Sequence, residues 1–171
     1  MRMTPKVVVV GSLAILAAVV FVMVCWPYAN RDMTPSEIYR PRTAVEAAGR
    51  DIYLRNGCVY CHSQSIRAID WGHGAERIAQ EGDYVGDRPI LLGSQRTGVD
   101  LSQEGGEHPD DWHIAHFVNP RYTRPNSIMP PFEWLGLERL NTLTQYIQSL
   151  GLKQADVRMA RQRYWKQESI K

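Results

Sequence analysis

The chain has 171 residues, enough for one modest domain beside an anchor. Its 20 lysines and arginines stand against 18 acidic residues, a net charge of +2 with no basic block, which gives no case for nucleic-acid binding. Three cysteines are too few for a secreted disulfide framework, and their placement points to a cofactor instead.

The first predicted element is a membrane anchor. Residues 7–26 read VVVVGSLAILAAVVFVMVCW, a run without a charge. As a helix rising 1.5 Å per residue, it spans a hydrocarbon core of about 30 Å. Arg2 and Lys6 precede it, so the positive-inside rule keeps the N-terminus in the cytoplasm. Everything from Pro27 onward then lies on the periplasmic side of a bacterial inner membrane, with Trp26 and Tyr28 at the outer interface. A cleaved signal peptide is the competing reading. The apolar run exceeds the usual signal length, and a cut after Ala29 would put Pro27 where a small residue is wanted. Cys25 follows a valine, which disfavours a lipidated cysteine and leaves a small apolar residue in a helix.

Residues 1–29 are therefore expected to form the transmembrane anchor and 30–42 a proline-punctuated linker. A haem-bearing domain is expected over 43–152 and a basic tail over 153–171. Thr43 opens a helix, with Glu46 completing a capping box. Val45, Ala48, Gly49, Ile52 and Tyr53 form one apolar stripe along it. Residues 63–96 are polar and glycine-rich, an irregular excursion. A second short helix is expected over 109–118. Four prolines then forbid a regular helix over 119–131. Leu137, Leu140, Leu143, Ile147 and Leu150 mark a final amphipathic helix ended by Gly151. The basic tail reads as a solvated helix face, or as a surface packed on a partner or lipid headgroups.

The chemistry concentrates in Gly57-Cys58-Val59-Tyr60-Cys61-His62, a C-x-x-C-H haem attachment motif. Two thiols three positions apart reach neighbouring vinyl groups of one haem c. The adjacent His62 is carried under the ring as the fifth iron ligand. A closed zinc site needs a fourth ligand, and no further cysteine exists outside the anchor. A redox C-x-x-C normally accompanies a βαβ pattern, absent here. The sixth ligand follows by elimination. Met1 and Met3 precede the anchor, Met23 lies inside it, Met33 is in the linker and Met159 is in the tail. Met129 alone sits in a rigid, proline-rich loop between the motif and the last helix. His62 and Met129 are thus the expected metal ligands, and such ligation raises the reduction potential. His73, His108, His113 and His116 are the alternatives to Met129. Arg96 is the first choice for a haem propionate, with Arg67, Arg121 and Arg124 behind it. No nucleophile–base pair is evident, so no catalytic residue is assigned.

Gly98-Val99-Asp100-Leu101 resembles the Gly-Pro-x-Leu stretch of cytochromes c, with valine in place of proline. In that family the second residue's carbonyl accepts the axial histidine N–H and the leucine packs on the haem. The resemblance implies those roles for Val99 and Leu101. More broadly, the chain resembles the haem-bearing second subunit of cbb3-type cytochrome c oxidases. The matching stretches are Gly49-Arg50-Asp51-Ile52-Tyr53, Gly57 through Arg67, Gly93-Ser94-Gln95-Arg96-Thr97-Gly98, Asp100-Leu101, Asp111-Trp112-His113, Asn119-Pro120-Arg121 and Met129-Pro130. The resemblance implies a mainly α fold, one transmembrane helix plus a cytochrome c-type domain of helices around one covalent haem. It also implies docking on a polytopic haem–copper catalytic subunit that reduces oxygen, with other cytochrome c subunits or donors nearby. The small cytochrome c subunit of a nitric oxide reductase and a free-standing anchored electron shuttle are the alternatives.

Overall fold

The computed structural model describes residues 4–31, 34–73, 77–93 and 96–151, together with residues 160, 163, 164 and 167. Met33, Met159, Ser94, Gln95, most of the basic tail and the side chain of His73 lie outside the described residues. The chain divides into two compact units, Met1–Thr34 and Pro35–Lys171. It is mainly helical, and no strand occurs among the described residues.

The first unit is a single helix, α1 (Pro5–Asn30), long and apolar enough to cross a membrane. Thr4 caps it by accepting from the Val7 N–H at 3.4 Å, and Pro5 occupies the first turn, where its missing N–H costs nothing. The helix widens into a π turn at Phe21–Cys25, where the Trp26 N–H reaches the Phe21 carbonyl, five residues back. Pro27 follows directly. Its ring cannot donate to the turn before it, and an inserted residue at that point relieves the clash. Valine, leucine and isoleucine side chains stand exposed along α1, as a helix solvated by lipid requires.

The second unit is built on three helices: α2 (Ala44–Arg55), α3 (Asp110–Val118) and α4 (Gly136–Ser149). Short 3₁₀ turns and loops connect them. The expected capping box is present: the Thr43 hydroxyl accepts from the Glu46 N–H at 3.3 Å, and the Glu46 carboxylate accepts from the Thr43 N–H at 2.7 Å. Thr43→Ala removes one half of it and is expected to cost about 1 kcal/mol. A lower midpoint in urea, with an unchanged slope, is the readout.

The buried face of α2 differs from the predicted stripe. Gly49 and Tyr53 are buried and Ile52 is half-buried, but Val45 and Ala48 are exposed, and Glu46 and Arg50 turn inward. The cause is the crossing with α4. A Cβ on Gly49 would collide with the Thr142 carbonyl and stand 2.6 Å from Tyr146 Cβ, so this is the point where the backbones touch. That contact sets the rotation of α2, and the polar residues beside it are neutralised in place. Arg40 forms a bidentate pair with Glu46 at 2.8 and 3.0 Å, and Arg50 donates to the carbonyls of Arg88 and Pro89.

On α4, Leu140, Leu143 and Ile147 are buried as the periodicity predicts, as is Leu150 just beyond its end. Leu137 is 63% exposed, contrary to expectation. Leu135, in the 3₁₀ turn Glu133–Leu135 just ahead of α4, is buried and fills the core at that end. Gly151 adopts φ +85°, a left-handed conformation that ends the helix without Cβ strain.

The segment between α2 and α3 is irregular, as expected, yet well tied. Arg77 pairs with Asp83 at 2.6 Å, and Arg42 pairs with the buried Asp87. Gln64, only 4% exposed, accepts from Tyr84 at its carbonyl and from Tyr146 at its side-chain oxygen, both at 2.9 Å. Part of the stretch read as linker is also held: Ser36 bonds Gly82 and Asp83.

Candidate functional site

The C-x-x-C-H run sits on a tight turn just past α2. Gly57 takes φ +72°, where a Cβ would also press on the Tyr60 ring, and Cys58–Tyr60 form one 3₁₀ turn. The Cys61 and His62 N–H groups both donate to the Cys58 carbonyl, at 3.2 and 3.0 Å. Both cysteines are free thiols; Cys61 is exposed, and Cys58 is half-buried against the core. Burial pushes the Cys58 thiol up to about 11, so it is protonated at neutral pH.

Residues 98–101 run alongside 61–63. The Gly98 N–H donates to the Cys61 carbonyl at 2.8 Å, and the Leu101 N–H to the Ser63 carbonyl at 2.9 Å. His62 Nδ1 lies 2.8 Å from the Val99 carbonyl, a group that only accepts, so Nδ1 carries the proton. Nε2 is thereby left as the lone-pair nitrogen, the form needed to bind a metal. Gly98 lies flat against the imidazole: a Cβ there would stand 2.7 Å from Nδ1 and 2.8 Å from Nε2. The Tyr53 hydroxyl donates to the His62 carbonyl at 3.3 Å and fixes the backbone beneath.

Sequence reasoning missed the clamp made by Asp100. Its carboxylate accepts from the Ser63 hydroxyl at 2.6 Å and the Ser65 N–H at 2.9 Å, and also from the Ser102 N–H at 2.9 Å. It therefore locks the strand-like pairing beside His62. Arg96, expected at a propionate, is tied into the same segment through one nitrogen, while its buried Nε has no partner among the described residues. Its Nη2 donates to the Ser65 carbonyl at 2.5 Å and to Asp70 at 2.9 Å, and lies 3.5 Å from Asp100. Arg67 also pairs with Asp70, at 3.0 Å, and that pairing holds the Asp70 carboxyl below the usual range. Neither pairing was visible in the sequence beyond the charges themselves.

Met129 is half-buried against the same apolar core as Cys58, Val59 and Leu101. Its N–H donates to the Ser127 hydroxyl at 3.2 Å, and its carbonyl accepts from Arg121 Nη1 at 3.0 Å. Two of the rival histidines have other partners. His108 bonds Glu104 at 2.7 Å and stacks on Trp112 at 3.8 Å. His116 Nδ1 bonds the Thr123 hydroxyl at 2.6 Å, and its ring stacks on the same indole at 4.9 Å. His113 is 3% exposed, inside the fold. Among the described residues no group of three or more side chains is placed to hold a metal ion by itself.

A c-type haem suits this donor set. Two free thiols and an imidazole with its Nε2 lone pair come from one turn, and a glycine keeps the ring face clear. Cys58, Leu101 and Met129 are half-buried against one apolar core, while Tyr60, Val99 and Ile128 stay widely exposed around the turn and the loop.

Burial holds His113 down to about 4, with the nearby His108 adding to it. Burial does the same for His116. Unfolded, both imidazoles titrate near 6.5, so between about 4 and 6.5 the unfolded chain binds more protons than the folded one. Stability is expected to be fully present above that window and to fall as pH drops through it. The raised pKa of buried Glu104 works the other way but is a single group. Urea unfolding at pH 7 and pH 4.5 measures the loss, and His113→Phe is expected to lessen the difference.

One family model, described as cytochrome c oxidase, mono-haem subunit/FixO, matches residues 1–170. No curated protein matches the chain.

Proposed function

We propose, because this chain belongs to the family of mono-haem subunits of cytochrome c oxidase, that it relays single electrons to the catalytic subunit of such a complex. The observation that carries the reading is the 2.8 Å bond from His62 Nδ1 to the Val99 carbonyl, made within a C-x-x-C-H turn. That bond orients the imidazole and leaves Nε2 for iron, while Cys58 and Cys61 form thioether links to the haem vinyls. Met129 would supply the second protein ligand to iron, and Leu101 would pack against the haem. When bound, the haem supplies one-electron exchange at its iron.

The chain's own residues do the rest. Gly98 and Tyr53 keep the histidine in one pose, and the apolar surroundings of Cys58 and Met129 limit water at the metal. Held by His62 and Met129, the iron would have a raised potential, which suits a relay toward an oxygen-reducing centre. Arg96, although Nη2 serves Asp70 and the Ser65 carbonyl, keeps a buried Nε without a partner among the described residues and stays the first choice to meet a haem propionate, with Arg124 behind it. Helix α1 anchors the chain in the bacterial inner membrane, with the second unit on the periplasmic side, beside a polytopic haem–copper subunit and its other cytochrome c partners or donors.

Affinity purification through this chain from detergent-solubilised membranes tests the relay. The expected product is a stable complex with a haem b-bearing polytopic subunit that consumes oxygen from a reduced cytochrome donor. Recovery of the chain alone would point to a free-standing shuttle, and consumption of nitric oxide instead of oxygen to a reductase.

A further inference from the structure

We propose that Arg121 is a positioning residue for the sixth iron ligand, holding the backbone of Met129 so that its thioether stays on the metal. The inference rests on the reading of Met129 as that ligand.

A thioether is a weak, neutral donor on a side chain with three rotatable bonds, so its grip on iron depends on how well its own backbone is fixed. Met129 stands in a loop with no regular structure between the 3₁₀ turns Pro120–Tyr122 and Glu133–Leu135. Pro130 follows it, biasing Met129 to an extended conformation and offering no N–H of its own. The Met129 amide is satisfied locally by Ser127. Its carbonyl is held from eight residues away, by Arg121 Nη1 at 3.0 Å.

Arg121 is itself mounted rigidly. The Asn119 side chain accepts from the Arg121 N–H at 3.1 Å, and the Asn119 carbonyl from the Tyr122 N–H at 3.0 Å. The Arg124 N–H donates to the carbonyl of buried Pro120 at 2.9 Å. Thr123, which donates to that same carbonyl at 3.2 Å, ties the turn back to His116 on α3. On the far side of the methionine, the Phe132 N–H donates to the Phe117 carbonyl at 2.7 Å. The loop is thus pinned to α3 at both ends, and the guanidinium closes it across its middle. A charged donor on a carbonyl is among the stronger hydrogen bonds a loop can make.

The test uses the full-length chain with haem incorporated, purified in mild detergent, as wild type, Arg121→Met, Arg121→Lys and Met129→Leu. Arg121 is exposed, so its loss leaves the core intact. The ferric charge-transfer band of methionine-ligated haem and the rate of carbon monoxide binding to the ferrous form are the readouts. Arg121→Met is expected to weaken the band and speed carbon monoxide binding by about tenfold, the scale of one charged hydrogen bond. Arg121→Lys, which keeps a cationic donor, is expected to recover much of the band. A full band and wild-type carbon monoxide resistance in Arg121→Met would overturn the proposal. So would an unchanged band accompanied by an altered pH dependence of the potential, which would assign the arginine to a propionate. Met129→Leu separates the two levels. If it keeps the band, Met129 is not the ligand and the underlying reading fails, whatever Arg121 does.

Discussion

Cys58→Ala/Cys61→Ala is expected to leave no haem on the denatured chain. Haem staining of a denaturing gel, where wild type gives a band at the chain's mass, measures it. The effect is all or none because two kinds of bond are involved. Coordination by the proposed ligands, His62 and Met129, would be lost when the chain unfolds, since it depends on the fold to hold the donors in place. Thioether links survive unfolding. The two cysteines differ in what else they do, which makes the single variants informative. Cys61 is exposed and free, so Cys61→Ala removes a link while leaving packing untouched. Cys58 packs against the core, and its alanine variant also loses apolar contact. Cys61→Ala is therefore expected to keep a stained band through one remaining link, with near wild-type stability, and Cys58→Ala to be both weaker in stain and less stable. A band that persists in the double variant would mean that the haem is held some other way, and the attachment proposed for this turn would be wrong.

What was legible in the sequence divides by range. The capping box of Thr43 and Glu46, the turn carrying Cys58, Cys61 and His62, and the stop at Gly151 are local: each needs residues within one or two turns of chain. The inward face of α2 was not legible. It is set by the contact of Gly49 with Thr142 and Tyr146, more than ninety positions away. Hydrophobic period alone favoured Val45 and Ala48, and the crossing point overruled it by turning Glu46 and Arg50 inward onto waiting partners. Asp100 shows the same limit at the site. Its partners Ser63 and Ser65 lie 37 and 35 positions earlier, and nothing in a serine's type announces such a role. The pairing of Arg96 with Asp70 was hidden for the same reason: it closes over 26 positions of irregular chain.

Gly98 carries the second large expectation, because its demand is spatial rather than conformational. An alanine there sets a methyl group 2.7 Å from His62 Nδ1, closer than real Cβ contacts allow, so one of the two must move. The histidine is poorly placed to yield. Its N–H is bonded to the Cys58 carbonyl, its own carbonyl is held by Tyr53, and its Nδ1 is bonded to Val99, the very next residue after the substitution. Rotating the ring breaks that last bond, a net loss of about 0.5–1.5 kcal/mol for an exposed hydrogen bond. Shifting the 98–101 segment strains its pairing with residues 61–63, an overpacking cost of about 1–3 kcal/mol. Either way the ring leaves the pose that would present Nε2 to the proposed iron. Gly98→Ala is expected to retain covalent haem, since the thioether links need only Cys58 and Cys61. Its ferric spectrum should nevertheless acquire a high-spin fraction, its reduction potential should shift, and its thermal midpoint should fall. Asp100→Ala, which loosens the same segment without touching the ring, is expected to lower stability with a smaller spectral change. If Gly98→Ala kept a fully low-spin spectrum and the wild-type potential, the close approach of backbone to imidazole would not be what fixes the axial ligand.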